Sequence, residues 1–221
     1  MKRLTTAAAV LALTLLLGVL NVGSASAATI TASSLLTKLG VASESGSASY
    51  DRSYFKHWVD ADGDCQDTHA EVLVAERKAA VTYTSSRRCA VAKGSWYSFY
   101  DGATWTAPAD VDIDHMVPLK EAWESGARAW SVDNRTRYAN DLGFSASLVA
   151  VTDNVNQSKG DRDPAAWLPP RAAARCTYAT YWVQVKYRWR LRVDSAEKAA
   201  LAAILKGECG SRSVLLPVRA L

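Results

Sequence analysis

The stretch Asp-Ile-Asp-His-Met-Val-Pro-Leu, residues 112–119, decides the fold of this chain. Polar and apolar residues alternate from Val111 onward, which predicts a strand that ends before Pro118. At the end of this strand, Asp114 offers a carboxylate to a hard divalent cation and His115 can accept a proton near neutral pH. Adjacent strand residues point to opposite faces, so a shared site requires a turn or bulge here. Taken alone, an Asp-His pair is more typical of a surface histidine or a structurally satisfied one.

A second polar stretch, Asn-Val-Asn-Gln-Ser-Lys-Gly-Asp at residues 154–161, follows an apolar strand predicted at residues 148–151. The polar stretch is compatible with a short helix or a loop. Asn156 offers a neutral oxygen ligand, and Lys159 offers a point charge for phosphate. One strand ending in Asp-His, followed by a second strand that feeds a short asparagine-rich helix, is the order of a ββα-metal nuclease site.

The flanking sequence predicts helices and short strands around this centre. Residues 68–79 and 119–130 have helical character, and residues 95–106 predict a hairpin with its turn at Asp101-Gly102. From residue 177 to residue 206 the apolar spacing is again helical, with an N-cap at Asp194. We therefore predict an α+β fold in which a ββα-metal centre is embedded in helices.

The first 27 residues have the pattern of an export signal. Lys2 and Arg3 precede an apolar run at residues 7–20, and Ala25-Ser26-Ala27 fits a small-x-small cleavage site. We expect cleavage after residue 27. No second long apolar segment follows, so we expect a secreted, extracellular protein with no stable membrane association after cleavage.

The remaining length suits one domain with a small extension. Residues 28–49 are rich in Ala, Ser and Thr, and we expect a flexible amino-terminal segment before a packed nuclease domain at residues 50–221. Without Lys2 and Arg3 the 26 basic residues fall to 24 against 22 acidic residues, a net charge of +2. This balance is atypical of a nucleic-acid coat protein and is compatible with a monomeric enzyme that has a local cationic surface.

Four cysteines, an even number in an exported chain, favour disulfides over a zinc site. None of them lies in a Cys-x-x-Cys pair. Three pairings are open, and we favour the local one, Cys65 with Cys89 and Cys176 with Cys209.

The stretch from Asp112 to Pro170 resembles the secreted bacterial HNH endonucleases, which are related to the carboxy-terminal domain of GmrSD-type restriction enzymes. Three segments carry the resemblance in fixed order. They are Asp-His-Met-Val-Pro-Leu-Lys-Glu-Ala-Trp-Glu-Ser-Gly-Ala at 114–127, Tyr-Ala-Asn-Asp at 138–141, and Asn-Gln-Ser-Lys-Gly-Asp-Arg-Asp-Pro-Ala-Ala-Trp-Leu-Pro-Pro at 156–170. More loosely, the similarity extends from Cys65 to Cys209.

The resemblance implies Asp114 and Asn156 as metal ligands and His115 as the general base that activates water. Lys159 would lie near the scissile phosphate or brace the site. The implied reaction is hydrolysis of phosphodiester bonds in DNA, with RNA as a second candidate substrate. We expect low sequence specificity because the contacts would fall mainly on phosphates.

The sequence departs from the HNH pattern at two positions. Where many HNH sites have an asparagine that orients the base, residues 145–147 read Ser-Ala-Ser, so either the Ser147 hydroxyl or a backbone carbonyl must orient the ring. Asn154 and Asp112 are further candidates to support the site. Asn156 replaces the last histidine, and the resulting oxygen-rich set favours one Mg²⁺ or Mn²⁺ ion over Zn²⁺. Because of these departures, a non-catalytic secreted module that binds nucleic acid or the cell envelope remains an alternative.

A separate acidic stretch at residues 60–71 spaces oxygen ligands like a calcium-binding loop. The side chains concerned are those of Asp60, Asp62, Asp64, Gln66, Thr68 and Glu71. The glycine required at the sixth position is replaced by Cys65, which turns less freely when it is disulfide-bonded. We therefore interpret the stretch as an acidic, solvated turn.

Overall fold

A computed structural model describes residues 28–221, so the predicted export signal lies outside the described residues. The helices are α1 (Ala32–Leu36), α2 (Thr68–Glu76), α3 (Leu119–Glu124), α4 (Val132–Ala139), α5 (Asp153–Lys159), α6 (Arg175–Arg188) and α7 (Ser195–Gly207). The strands are β1 (Thr29–Thr31), β2 (Thr82–Tyr83), β3 (Val91–Lys93), β4 (Trp96–Tyr97), β5 (Thr104–Trp105), β6 (Val111–His115), β7 (Leu148–Thr152) and β8 (Ser213–Leu215). The fold is a mixed α+β arrangement. Within residues 28–221 no helix has both the length and the apolarity of a membrane span.

The centre of the fold is the antiparallel pair of β6 and β7, which leads directly into α5. Its register pairs Val111 with Thr152 and His115 with Leu148 without interruption. The bulge that we expected at Asp-His is therefore absent from this pair. The two side chains reach a common cavity because they lie at the end of β6.

Each face of the β6–β7 pair is covered by different elements. Ile113 and Leu148, with their neighbours on that face, pack against Val72 and Leu73 of α2. On the opposite face, Val149 and Val151 belong to the main core, which includes α1, α6 and α7. Since opposite-facing residues alternate along β6, Asp112 and Asp114 face α5, whereas His115 lies on the α2 side.

The expectation of a flexible segment at residues 28–49 is wrong. β1 pairs with β8 near the carboxy terminus, and α1 packs against α6 and α7. Leu35, Leu36 and Leu39 are at most 5% exposed, because their spacing places all three on one side of α1 and the turn after it. The Ser-rich part is anchored as well, since the Trp123 indole donates a hydrogen bond to the Gly46 carbonyl. The packed domain therefore begins at β1 and not at residue 50.

The three predicted helical stretches are all shorter than expected or interrupted, and the first, predicted at 68–79, ends at Glu76. The helix predicted at 119–130 ends at Glu124 and continues only as a 3₁₀ turn after Gly126, whose φ is +139°. The helical pattern at 177–206 is divided into α6 and α7 by a turn in which Arg190 has a φ of +52°. At the start of α7, Asp194 and Glu197 form the reciprocal hydrogen bonds of a capping box, as the N-cap prediction requires.

Both predicted disulfides are present. Cys65 is bonded to Cys89 and Cys176 to Cys209, with Cα–Cα separations of 4.9 and 5.2 Å. The first bond ties the acidic loop before α2 to the loop before β3. The second ties the start of α6 to the segment after α7.

Candidate functional site

A polar cavity of about 180 Å³ opens where β6 ends beside α5. Asp114 and His115 line it from β6, and Asn156 lines it from α5. Arg52 and Asp161 stand on its other sides. The cavity therefore brings together the Asp-His pair and the asparagine that the sequence analysis selected 41 residues later.

The imidazole of His115 is held in one orientation by a backbone carbonyl. Its Nε2 lies 2.9 Å from the carbonyl oxygen of Ala139, at the end of α4. A carbonyl only accepts hydrogen bonds, so this contact places the proton of the neutral ring on Nε2 and the lone pair on Nδ1. Of the two orienting groups left open by the sequence, the backbone carbonyl is the one in contact with the ring.

Two aromatic rings fix the plane of the same imidazole. Trp58 stacks on His115 with ring centroids 5.5 Å apart, and Tyr138 lies on the ring at 6.5 Å, nearly parallel to it. Burial lowers the pKa of His115 to about 3, against the opposing effect of the Ala139 hydrogen bond. The ring is therefore neutral at physiological pH.

Asp114 is buried in a dense set of hydrogen bonds. The ammonium of Lys159 donates to Oδ1 at 2.8 Å, to Oδ2 at 2.6 Å and to the carbonyl of His115 at 2.9 Å. The hydroxyl of Tyr100 donates to Oδ2 at 2.6 Å. Burial raises the pKa of Asp114 and lowers that of Lys159, and the contact between the two groups opposes both shifts.

Lys159 therefore does not serve as a phosphate contact in this structure. Its side chain is completely buried, and the three protons of its ammonium are used by Asp114 and the backbone of His115. Of the two roles considered for it, the geometry favours bracing: Lys159 fixes the Asp-His pair by one salt bridge and one backbone contact.

The other supporting residues differ in their contacts. The Asn156 amide nitrogen donates to Asp112 Oδ2 at 3.1 Å, so Asp112 orients this side chain. Asn154 is exposed on the same helix. The hydroxyl of Ser147 donates to Asp141 Oδ2 at 2.7 Å and not to His115, so Ser147 does not orient the base. Its partner Asp141 also accepts hydrogen bonds from Arg188 and Trp189.

The donor set fits a hard divalent cation. A carboxylate offers about four acceptor positions; at Asp114 the two on Oδ2 are filled by Lys159 and Tyr100, whereas Oδ1 accepts a hydrogen bond from Lys159 only. Because the amide nitrogen of Asn156 is engaged by Asp112, the amide oxygen is the end that remains for a ligand. Both donors are oxygen atoms, which suits Mg²⁺ or Mn²⁺ better than Zn²⁺.

The sequence analysis missed several residues that build this site. Tyr100 could have been suspected, since it ends the alternating stretch that enters the predicted hairpin. Trp58 and Arg52 gave no comparable signal, because their proximity to His115 depends on long-range packing. Tyr138 lies in the quoted segment 138–141, but nothing in that segment assigned it a role beside His115. Asn140 belongs to the same segment and was likewise given no role: its amide oxygen accepts from the Val59 backbone at 3.1 Å, and its amide nitrogen donates to the Lys56 carbonyl at 2.8 Å.

Comparison with known proteins identifies a family and a relative of this chain. The profile of the family described as GmrSD restriction endonucleases, C-terminal domain, matches residues 68–204, which include β6, β7 and α5. An uncharacterized secreted protein of Arthroderma benhamiae is 47% identical over 185 residues, which cover 84% of this chain and 86% of that protein. This relative is fungal, so the resemblance to bacterial proteins was stated too narrowly. No solved structure matches the chain significantly. The chain belongs to the family of GmrSD restriction endonuclease C-terminal domains.

Proposed function

We propose that the protein is a secreted, metal-dependent endonuclease of the HNH type, which hydrolyses phosphodiester bonds in DNA, with RNA as a second candidate substrate. One observation carries this proposal. A neutral imidazole, fixed by the Ala139 carbonyl with its Nδ1 lone pair unused by that contact, lies beside the oxygen donors Asp114 and Asn156 in one polar cavity. This combination provides a base for water and ligands for a hard cation in the same place.

His115 performs the proton transfer in the proposed reaction. Nδ1 takes a proton from a water molecule, whose oxygen forms a bond to phosphorus while the bond to the leaving 3′ oxygen breaks. The Nε2–H keeps its hydrogen bond to Ala139 throughout, so the ring does not have to reorient when it becomes charged. A divalent cation bound by Asp114 and Asn156 supplies electrostatic stabilisation of the additional negative charge on the phosphate.

Arg52 is the substrate-binding residue that we propose in addition. Arg52 lines the cavity and is exposed to solvent, and its positive charge is close enough to His115 to lower the pKa of that ring. A guanidinium can bind two phosphate oxygens at once. Arg52 therefore takes over the phosphate contact for which Lys159 is too deeply buried.

The place where the enzyme acts is inferred from features that are typical of exported proteins. The predicted signal sequence, two disulfides and the similarity to a secreted protein support a protein that is secreted and acts outside the cell. The proposed contacts are to phosphates and not to base edges, so cleavage has low sequence specificity. We propose that the chain acts as a monomer.

The proposal is tested by plasmid cleavage with the purified chain 28–221 in Mg²⁺ or Mn²⁺. EDTA abolishes cleavage, and His115→Ala lowers the rate by about 10²–10⁴, the usual contribution of a positioned base. His57→Ala is the matched control and keeps activity close to wild type. If plasmid, single-stranded DNA and RNA all stay intact with every common divalent ion, while DNA binding persists in EDTA and in His115→Ala, the protein is a binding module instead.

A further inference from the structure

A cationic pocket of about 260 Å³ opens where the turn between α6 and α7 meets the segment after α1. Its charged lining residues are Lys38, Arg190, Arg192 and Arg219, and all four are exposed. None of the salt bridges formed within residues 28–221 involves them. Because the net charge of residues 28–221 is only +2, four unpaired cations around one pocket are a local concentration of positive charge.

The packing of the turn after α6 directs two of these side chains into the pocket. Trp189, Leu191 and Val193 are at most 2% exposed, so this stretch turns every second side chain into the core. Arg190 and Arg192 lie between them and are exposed. The burial of three apolar residues therefore places two guanidinium groups on the solvent side, where both line the cationic pocket.

Two of the guanidinium groups are held in place by main-chain oxygens. Nε of Arg190 donates to the main-chain oxygen of Leu221 at 2.6 Å. Nη1 of Arg219 donates to the Tyr187 carbonyl, and its guanidinium carbon lies 3.6 Å from the centroid of the Tyr187 ring. A guanidinium has five N–H donors, so each group keeps donors for an anion while its position is fixed.

Arginine side chains of α4 connect the cationic pocket with the catalytic cavity. Arg137 donates a hydrogen bond at 3.0 Å to the carbonyl of the residue that follows Arg219. Two residues earlier in the same helix, Nε of Arg135 donates to the Tyr54 carbonyl at 3.1 Å. Tyr54 ends the 3₁₀ turn that begins at Arg52, which lines the catalytic cavity. A row of positive charges therefore leads from one site to the other.

We infer that the cationic pocket binds the phosphodiester backbone of the nucleic-acid substrate away from the bond that is cleaved; this inference rests on the proposed function. A concave surface lined by charges of one sign attracts ligands of the opposite sign. Arginine and lysine are the side chains that bind phosphate groups. A row of cations that continues from the pocket to Arg52 fits a polymer with a phosphate at every nucleotide, whereas a single small anion would not use the row.

An anionic lipid surface is the other partner of suitable charge. Val41 and Val218 are 53% and 78% exposed, and each adjoins a lining residue of the cationic pocket. The strength of membrane binding scales with the apolar area that is buried in the bilayer, and two separate valines provide little of it. A lipid surface also gives no reason for the connection along α4, which therefore favours nucleic acid.

The test is binding of a labelled DNA duplex of about 30 bp, roughly 100 Å long, to the chain 28–221. Fluorescence anisotropy is measured in EDTA, so that cleavage does not interfere, over a series of KCl concentrations. Lys38→Gln/Arg192→Gln is the pocket variant. Arg87→Gln/Lys206→Gln is the matched control, which removes one exposed lysine and one exposed arginine elsewhere.

We expect the pocket variant to bind about tenfold more weakly than the wild type at about 0.1 M KCl. The slope of log K against log [KCl] should become shallower by about 1–2, because each lost phosphate contact removes about 0.9 from it. The control variant should change the affinity less than about twofold.

Equal losses of affinity in the two variants, or a wild type that does not bind DNA, would overturn the inference. So would vesicles of phosphatidylglycerol that bind the wild type and the control but not the pocket variant, if DNA binding is the same for all three; the pocket would then be a lipid site. Because this assay does not depend on cleavage, an inactive protein whose pocket variant binds DNA more weakly supports the pocket and contradicts only the nuclease.

Steady-state kinetics in Mg²⁺ provide a second readout. The pocket variant should raise KM for plasmid DNA about tenfold with kcat unchanged, because the pocket contacts the substrate but not the reacting phosphate. For bis(p-nitrophenyl) phosphate, which is too small to occupy both sites, the two constants should stay at the wild-type values. A KM for plasmid equal to that of the control variant would overturn the inference.

Discussion

Replacement of Lys159 by methionine tests whether the buried ion pair holds the site together. The change keeps the length of the side chain but removes an ammonium that makes three hydrogen bonds, two to Asp114 and one to the His115 carbonyl. Asp114 is then a buried carboxylate supported by Tyr100 alone. Breaking a buried pair in this way costs about 3–5 kcal/mol, a large part of the roughly 5–15 kcal/mol that stabilises a domain. Urea unfolding followed by tryptophan fluorescence measures this loss.

The pH dependence of this loss identifies its cause. Burial raises the pKa of Asp114, and Lys159 is the largest influence that opposes the shift, so Lys159→Met raises that pKa further. A carboxyl with a raised folded-state pKa is penalised above that pKa, and the penalty disappears below the unfolded value of about 4. The difference in unfolding free energy between wild type and variant should therefore shrink as the pH falls from 7 towards 4.

The matched control is Lys159→Met in an Asp114→Asn background, where no buried charge is left behind. There the lysine replacement should cost clearly less than it does alone, which is the signature of coupling between the two side chains. A loss below about 1 kcal/mol at pH 7, or an equal loss in both backgrounds, would refute the claim that the pair braces the site.

Two further changes address the cavity and the strand edge. Arg52→Gln should lower kcat/KM on plasmid DNA by about 10–100-fold, because a hydrogen bond to a charged group contributes about 1.5–3 kcal/mol. The Tm should stay at the wild-type value. Replacement of the exposed Arg87 by Gln is the control, and equal kinetics for the two variants would contradict a phosphate-binding role of Arg52. Glu76 accepts a hydrogen bond from the Ala150 backbone, and burial raises its pKa to about 7. The folded state therefore binds the Glu76 proton more tightly than the unfolded state, and the free energy of unfolding falls by up to about 3 kcal/mol as the pH rises from 4.5 to 7. Glu76→Gln should remove this decrease, which is measured by urea unfolding at pH 5 and pH 8. A decrease of the same size in the variant would contradict the assignment to Glu76.

The parts of the fold that the sequence predicted are those with a local signal. Alternation predicted β6, a continuous apolar run predicted β7, and the turn at Asp101-Gly102 predicted the hairpin of β4 and β5. Both disulfides close loops of moderate length, with separations of 24 and 33 residues. The two strands and the hairpin turn were predicted from patterns within a few consecutive residues, and the disulfides from the choice of the pairing that closes the shorter loops.

The amino-terminal segment was misjudged because its partners are far away in the sequence. Alanine, serine and threonine are typical of linkers, and nothing between Thr29 and Thr31 predicts a partner strand at residues 213–215. The same limitation applies to polar side chains. Sequence identifies Lys159 and Ser147 as candidates, but their hydrogen-bond partners, Asp114 and Asp141, are fixed only by tertiary packing.

The absence of an orienting asparagine was the main argument for a degenerate, non-catalytic site, and the geometry weakens that argument. The Ala139 carbonyl contacts the ring of His115, and a backbone carbonyl is present whatever residue occupies position 139. The orientation of His115 therefore depends on the backbone conformation at the end of α4 and not on a hydrogen bond to the side chain of one residue. Asn140 maintains that conformation, because its amide joins this point to the backbone of Lys56 and Val59, on either side of Trp58. The carbonyl and the indole that position His115 thus depend on one asparagine side chain, which lies outside the second strand where the HNH pattern places it.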